Sequence, residues 1–389
     1  MRNISAFVSL IVFTFFCLAC GGGETKSSSG STPEPSPSEV FAKGADISWI
    51  TELEVKGHKF YNASGEQREC TALMKELGLN AVRLRVWVNP QKHDNWCNKA
   101  DMLIKAQRAK ELGMDVMIDF HYSDWWADPG QQHKPAAWKN MNLTDLKKAV
   151  GEHTRDVLSA LKLKGITPKW VQVGNEIRPG MLWDEDAALS GASYNIRECD
   201  VKDSGSTSTA IKYYKNTSNL AAFINVGYDA VKEVFEDAIV IVHLDNGYDN
   251  ELYTWFFDEL KKNGGKWDMI GMSLYPYWTR MEHPEYTAAK TITDCIANIK
   301  SVSKRYDCDV MVVETGMECA DDQGNLASDS VLKEGKEQLS RIIEECRNNT
   351  DGRCKGVFYW EPECKPGQYR LGAFTDDGKP TIIMDAFKE

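Results

Sequence analysis

Two glutamates are singled out by their place in the chain: Glu176 closes the run Trp170-Val171-Gln172-Val173-Gly174-Asn175-Glu176, and Glu314 lies near the end of Val310-Met311-Val312-Val313-Glu314-Thr315-Gly316. A carboxylate can act as a nucleophile, and a carboxyl group whose pKa is raised can donate a proton. Two of them facing one bond from opposite sides are the minimum equipment for cleaving a glycosidic linkage. Either glutamate alone is a weak signal, because a strand-end Glu more commonly caps a helix or pairs with a cation. Further groups fall at the ends of similar runs: Arg83, Arg85 and Trp87; Asp119, His121, Asp124, Trp125 and Trp126; Asn175; His243 and Asp245; Tyr275, Tyr277 and Trp278; Trp360 and Glu361.

Eight short runs must position these groups: 44–48, 81–88, 115–122, 170–176, 238–246, 269–278, 310–316 and 356–362. Helix-period segments separate them over 100–112, 143–163, 218–236, 251–262, 288–305 and 331–347. Eight strands alternating with helices predict an α/β fold, a (β/α)8 TIM barrel, as a single domain. A doubly wound sheet is the competing arrangement, but no Gly-rich nucleotide loop follows the first strand. Side-chain parity favours the barrel. Val82, Leu84, Val86 and Val88 share one strand face, while Arg83, Arg85 and Trp87 share the other. A polar face is tolerable where it points into a barrel whose upper layer is a site; in an open sheet covered on both sides, both faces would be apolar. In that frame Glu176 ends strand four and Glu314 strand seven, on opposite sides of the barrel mouth, which raises the weight of the pair.

The 389 residues carry a net charge of -11, which argues against a nucleic-acid partner. The 12 Trp residues suit either a large core or stacking platforms for sugar rings, whose C–H faces pack on indole. Residues 1–19 have the form of a signal peptide: Arg2, then an apolar stretch from Ile4 to Ala19, too short to span a bilayer. Cys17-Leu18-Ala19-Cys20 resembles a bacterial lipobox. The expectation is a lipidated Cys20 holding the protein to the outer membrane of a Gram-negative bacterium, followed by a Ser/Pro/Gly-rich tether over 20–40 and a catalytic domain over 41–389. Nine cysteines follow the tether. Their placement against the eight strands separates Cys354 from Cys364 by the length of the last strand, beyond disulfide reach. It makes Cys319–Cys364 and Cys346–Cys354 the expected pairs, with Cys199 free; the alternative is buried, reduced thiols.

The chain also resembles glycoside hydrolase family 53, the endo-β-1,4-galactanases, within the clan of retaining (β/α)8 glycosidases. The resemblance rests on Gly44-Ala45-Asp46-Ile47-Ser48, 82–90 (VRLRVWVNP), 119–130 (DFHYSDWWADPG), 173–176 (VGNE), 243–247 (HLDNG), 273–276 (SLYP) and 312–315 (VVET), and runs from about 41 to 385. It implies that Glu176 is the acid/base and Glu314 the nucleophile of a double displacement. It further implies that Asn175 binds the substrate 2-hydroxyl and that Tyr275 orients Glu314. Arg83 or Arg85 is expected to keep Glu314 ionised. Substrate contacts are expected from Trp87, His121, Asp124, Trp125, Trp126, Asp245, Trp278 and Trp360, with Trp183 and Tyr277 as further candidate platforms. No cofactor is required; family members often hold calcium in a loop after strand seven, where Asp321-Asp322-Gln323-Gly324-Asn325 is shorter here. The expected partner is a polysaccharide met by a monomer. Related barrels cutting mannan, cellulose or xylan, and a non-catalytic glycan-binding lipoprotein, stay open as alternatives.

Overall fold

The computed structural model describes residues 40–183 and 217–388, with two short strand segments between them, Cys199–Lys202 and Ile211–Tyr214. The leader, Cys20 and the tether lie outside the described residues, as does the side chain of Cys199. Eight parallel strands close into a barrel in sequence order: β1 (Ala42–Asp46), β2 (Ala81–Val86), β3 (Asp115–Phe120), β4 (Trp170–Val173), β5 (Ile239–Leu244), β6 (Met269–Leu274), β7 (Asp309–Thr315) and β8 (Cys354–Trp360). β8 returns to β1, pairing Ala42 with Gly356 and Asp46 with Trp360.

Strand parity sorts the core. Outward residues such as Val82, Leu84, Ile118, Val171 and Val240 pack under the surrounding helices. The inward residues Ala42, Ala81, Met117, Trp170, Ile241, Met269, Met311 and Phe358 fill the lower barrel. Trp170 and Phe358 meet edge to face there, 6.0 Å apart. Gly44 is required beside them, since a Cβ at that position would lie 2.3 Å from the Phe358 ring.

Helices α1 (Cys70–Glu76), α2 (Lys99–Glu111), α3 (Leu143–Leu163), α4 (Thr217–Val234), α5 (Asn250–Lys262), α6 (Ala288–Tyr306) and α7 (Asp329–Asn348) cover the barrel. Side-chain caps start several of them: Asn98 accepts from the Asp101 amide, Asn142 from Asp145, Asp249 from Leu252 and Thr287 from Lys290. α3 buries Leu146, Val150, Val157, Leu158 and Leu161, one stripe of a 3.6-residue period.

Strand ends depart from the sequence reading where local chemistry intervenes. β1 stops at Asp46 because that carboxylate turns to accept from the Ser48 amide and hydroxyl. β4 stops at Val173 because Gly174 (φ 85°) and Glu176 (φ 46°) take left-handed conformations. β6 stops at Leu274, and Pro276 opens a short helix (Pro276–Glu282), so Tyr277 and Trp278 ride on a helical turn.

The expected disulfides are absent among the described residues: eight cysteines are free thiols, seven of them buried. Cys319 points to the Phe374 carbonyl at 3.8 Å rather than to Cys364. Cys346 and Cys354 do adjoin as two buried thiols, so the neighbourhood was legible but not the bond.

Candidate active site

At the C-terminal mouth of the barrel lies a cleft of about 320 Å³, with Glu176 and Glu314 in its floor. A carboxylate oxygen of Glu176, one of Glu314 and a ring nitrogen of His243 all lie within 4.8 Å of one another. Glu314 is 5% exposed. Its Oε1 is ion-paired with Arg83 Nη2 at 2.8 Å, and its Oε2 accepts from the Tyr275 hydroxyl at 3.1 Å. Glu176 Oε1 accepts from Ser273 Oγ at 2.6 Å.

The barrel's upper layer is a continuous polar network. Fully buried Arg83 also contacts Asp46 at 2.8 Å, Asp119 at 2.9 Å and Asn175 Oδ1 at 2.7 Å. Its Nε donates to Gln172 Oε1 at 3.2 Å. The strand-two arginines therefore separate in role. Arg83 is the cation on Glu314, whereas Arg85 pairs with buried Glu361 and lies over the rings of Trp49, Trp87 and Trp126 at 5.2, 5.3 and 4.3 Å.

Of the residues expected to meet substrate, His121, Trp126, Asn175, Asp245, Tyr275, Trp278 and Trp360 line the cleft with the two glutamates. Arg83, Arg85 and Trp87 do not: all three are buried beneath it, and they support the groups above. Asp124 does not line it either. Its carboxylate accepts from the Asn89 and Ala136 amides and so ties two loops together. Trp125 stacks on His93 at 3.4 Å, outside the cleft lining, and Trp183 is buried with its indole N–H on the Pro179 carbonyl. Tyr277 faces Arg280 and Arg370 instead. Asp245 reaches the cleft already paired with Arg178 at 2.7 Å. Asn175 Nδ2 donates to the Ala127 carbonyl, which fixes the amide with its edge at the cleft. Sequence reasoning gave no role to Gln172, Ser273, Asp128, Tyr248, Glu282 or Tyr369. Inward parity was available for Gln172 and Ser273; the loop residues carried no local signal.

The Asp321–Asn325 segment does not fit a calcium ion. Asp321 Oδ1 accepts from the Gln323 and Asn325 amides, and Asp322 faces Arg370. That is a self-closed turn rather than six to eight converging oxygens.

Electrostatics separate the two glutamates. Burial, then the Glu314 and Asp245 charges, push Glu176 well above the usual carboxylate range. Burial pushes Glu314 up to about 7, with Arg83 pulling the other way. Glu314 is thus the first to ionise, while Glu176 keeps its proton. A raised carboxyl pKa costs stability once the unfolded chain ionises. The contribution of Glu314 to stability therefore falls as pH rises from the ordinary value near 4.5 through about 7. In Glu314→Gln that fall is removed. Its stability relative to wild type should grow by on the order of 3 kcal/mol across this window. Urea unfolding at acid and neutral pH checks it, and an equal difference at both would refute the assignment.

Comparison with known proteins gives the same reading as the cleft. Glycosyl hydrolase family 53 matches over residues 42–379. A protein encoded in the bgaB 5′ region of Niallia circulans, itself uncharacterised, is 32% identical over 363 residues, covering 90% of this chain and 91% of its own. The endo-β-1,4-galactanase of Bacillus subtilis is 29% identical over 364 residues, 89% of this chain and 75% of its own. Two solved structures superpose with a TM-score of 0.72 at 26% identity. A fungal β-1,4-galactanase covers 90% of this chain and 99% of its own, and the Ignisphaera aggregans family 53 catalytic domain covers 91% and 97%. With an eight-stranded barrel whose mouth holds two glutamates of unequal acidity, Glu314 buried and Glu176 half-buried, and a family match spanning nearly all of that barrel, this chain belongs to glycosyl hydrolase family 53 and is a glycoside hydrolase.

Proposed function

We propose that the protein is a retaining, endo-acting hydrolase of β-1,4-galactan. The observation that carries the mechanism is the approach of a Glu176 oxygen to within 4.8 Å of a Glu314 oxygen. Retaining glycosidases hold their two carboxyl groups about 5–5.5 Å apart, whereas inverting ones leave room for a water between them. A carboxylate oxygen of Glu314 attacks the anomeric carbon. The glycosidic C–O bond breaks, and the leaving oxygen takes the proton of Glu176. The Glu176 carboxylate then removes a proton from water, whose oxygen displaces Glu314 and restores the original configuration. Tyr275 and Arg83 hold the nucleophile by its two oxygens.

Support for the substrate comes from the relatives called endo-β-1,4-galactanases and from the cleft lining. Trp126, Trp278 and Trp360 offer aromatic surface to sugar rings, and Asp128, Asp245 and Glu282 disfavour a polyanionic chain such as a polyuronate. Digestion of β-1,4-galactan beside mannan, xylan and cellulose is the test. The expected result is intermediate-length galacto-oligosaccharides early in the reaction, with β-anomers first in the proton NMR spectrum. Release of galactose alone from the start would reject endo action; α-anomers first would reject retention; faster cleavage of another polysaccharide would reject the substrate.

A further inference from the structure

We propose that Ser273, held by His243, is a positioning residue that keeps the transferable proton of Glu176 on the oxygen facing the cleft. The inference rests on the reading of Glu176 as the acid. It starts from a register fault: on β6 Met272 lies opposite Val312 of β7, but Ser273 lies opposite Glu314, so one residue of β7 is skipped. The extra residue, Val313, is on β7 and brings Glu314 level with Ser273, which keeps the inward parity of Met269 on its own strand. Ser273, 2% exposed, has its Oγ 2.6 Å from Glu176 Oε1 and 2.8 Å from His243 Nε2.

Hydrogen-bond directions along this chain follow from its far end. Arg83 Nε donates to Gln172 Oε1, which fixes the amide so that Gln172 Nε2 faces both Asp119 Oδ1 at 2.6 Å and His243 Nδ1 at 2.9 Å. The Glu176 amide, 3.4 Å away, is a second donor toward Nδ1. Asn175 Oδ1, 3.0 Å from the same nitrogen, already accepts from Arg83 Nη2. His243 is fully buried and close to Arg83, both of which keep the ring neutral. Its Nδ1 therefore accepts, and its single proton sits on Nε2. That proton is donated to Ser273 Oγ, and the serine hydrogen is left to go to Glu176 Oε1. An oxygen that is already accepting this bond is a poor place for the carboxyl's own proton, so that proton sits on Oε2. During the reaction the Oε2 proton goes to the leaving oxygen and is later regained from water, while the serine and histidine hydrogens stay where they are. The serine donation also favours the carboxylate that forms, tempering an acid that burial makes very weak.

The test is the pH dependence of kcat/KM on galactan for Ser273→Ala and Ser273→Thr. Glu314, Asp245 with its partner Arg178, Asp128, Tyr275 and Tyr253 also face Glu176 and are the same in every variant. Loss of the donor in Ser273→Ala should raise the alkaline limb by roughly one pH unit and lower the plateau about tenfold. Ser273→Thr keeps the hydroxyl and should return the limb toward its wild-type position. A limb unmoved or lowered in folded Ser273→Ala overturns the proposal. If that variant does not fold, Ser273→Cys, a weaker donor, must move the limb upward, and failure to do so overturns it equally. Failure of the underlying reading looks different, because Glu176→Gln would then retain near-wild-type turnover whatever the serine does.

Discussion

Glu314→Gln and Glu176→Gln are each expected to fold and to lose about 10³-fold or more in kcat/KM on β-1,4-galactan. The amides keep the shape of the carboxyls and remove one nucleophile and one acid. Their losses should diverge on an aryl galactoside, whose leaving group departs without a proton. There Glu176→Gln should recover much of the first step, because general acid catalysis supplies roughly 10²–10⁴-fold and is not needed. Glu314→Gln should recover nothing, since no other group stands at the anomeric carbon. Steady-state kinetics on both substrates decide it: near-wild-type turnover of either variant on galactan removes that residue from the mechanism, and recovery by Glu314→Gln alone would exchange the two roles.

The second large effect belongs to Arg83, which is buried and outside the cleft lining. Its guanidinium is buried against Asp46, Asp119 and Glu314 at 2.8, 2.9 and 2.8 Å. Arg83→Met leaves these carboxyls without their shared cation, and breaking a buried pair from one side costs about 3–5 kcal/mol. The melting temperature should fall by roughly 5–10 °C. Because Arg83 opposes the upward push of burial on Glu314, its loss should also carry the acid limb of the pH profile to higher pH. Arg83→Lys should regain only part of either property, since one ammonium cannot span three carboxyls and two amides. A melting temperature within a degree or two of wild type in Arg83→Met would show that the network relaxes around the gap.

The eight strands were legible because their alternation is a local property of the sequence. The inward parity of Arg83 and Arg85 placed both correctly inside the barrel; Glu314 fell on strand seven, and Glu176 in the turn just past strand four. What parity could not say was how high in the barrel each inward side chain ends. Either Arg83 or Arg85 was expected to keep Glu314 ionised; only Arg83 reaches it, because Glu361, just past β8, takes the other. Trp87 and Trp125 were misplaced for a related reason: a tryptophan under a cleft and one beside it have the same sequence signal as one in its wall. Asp124 looks like a sugar ligand until its two loop amides are seen. Ser273 has the inward parity of Met269 and was open to the same reading; the β-bulge that leaves no mark in the sequence is on β7, where Val313 points inward and Glu314 beside it still reaches the cleft.

The left-handed turn at Glu176 has a consequence for anyone moving this chemistry elsewhere. In a pleated strand, consecutive side chains point to opposite faces, yet Asn175 and Glu176 both line the cleft. They do so because Gly174 and Glu176 both have positive φ, and Gly174 is held to glycine by Ile177, which a Cβ there would approach to 2.5 Å. The Asn-Glu dipeptide is therefore not portable by itself. Grafted onto the plain strand end of another barrel, it would deliver one of its two side chains and bury the other in the wall; the smallest transferable unit is the turn Gly174–Ile177 with its backbone conformation.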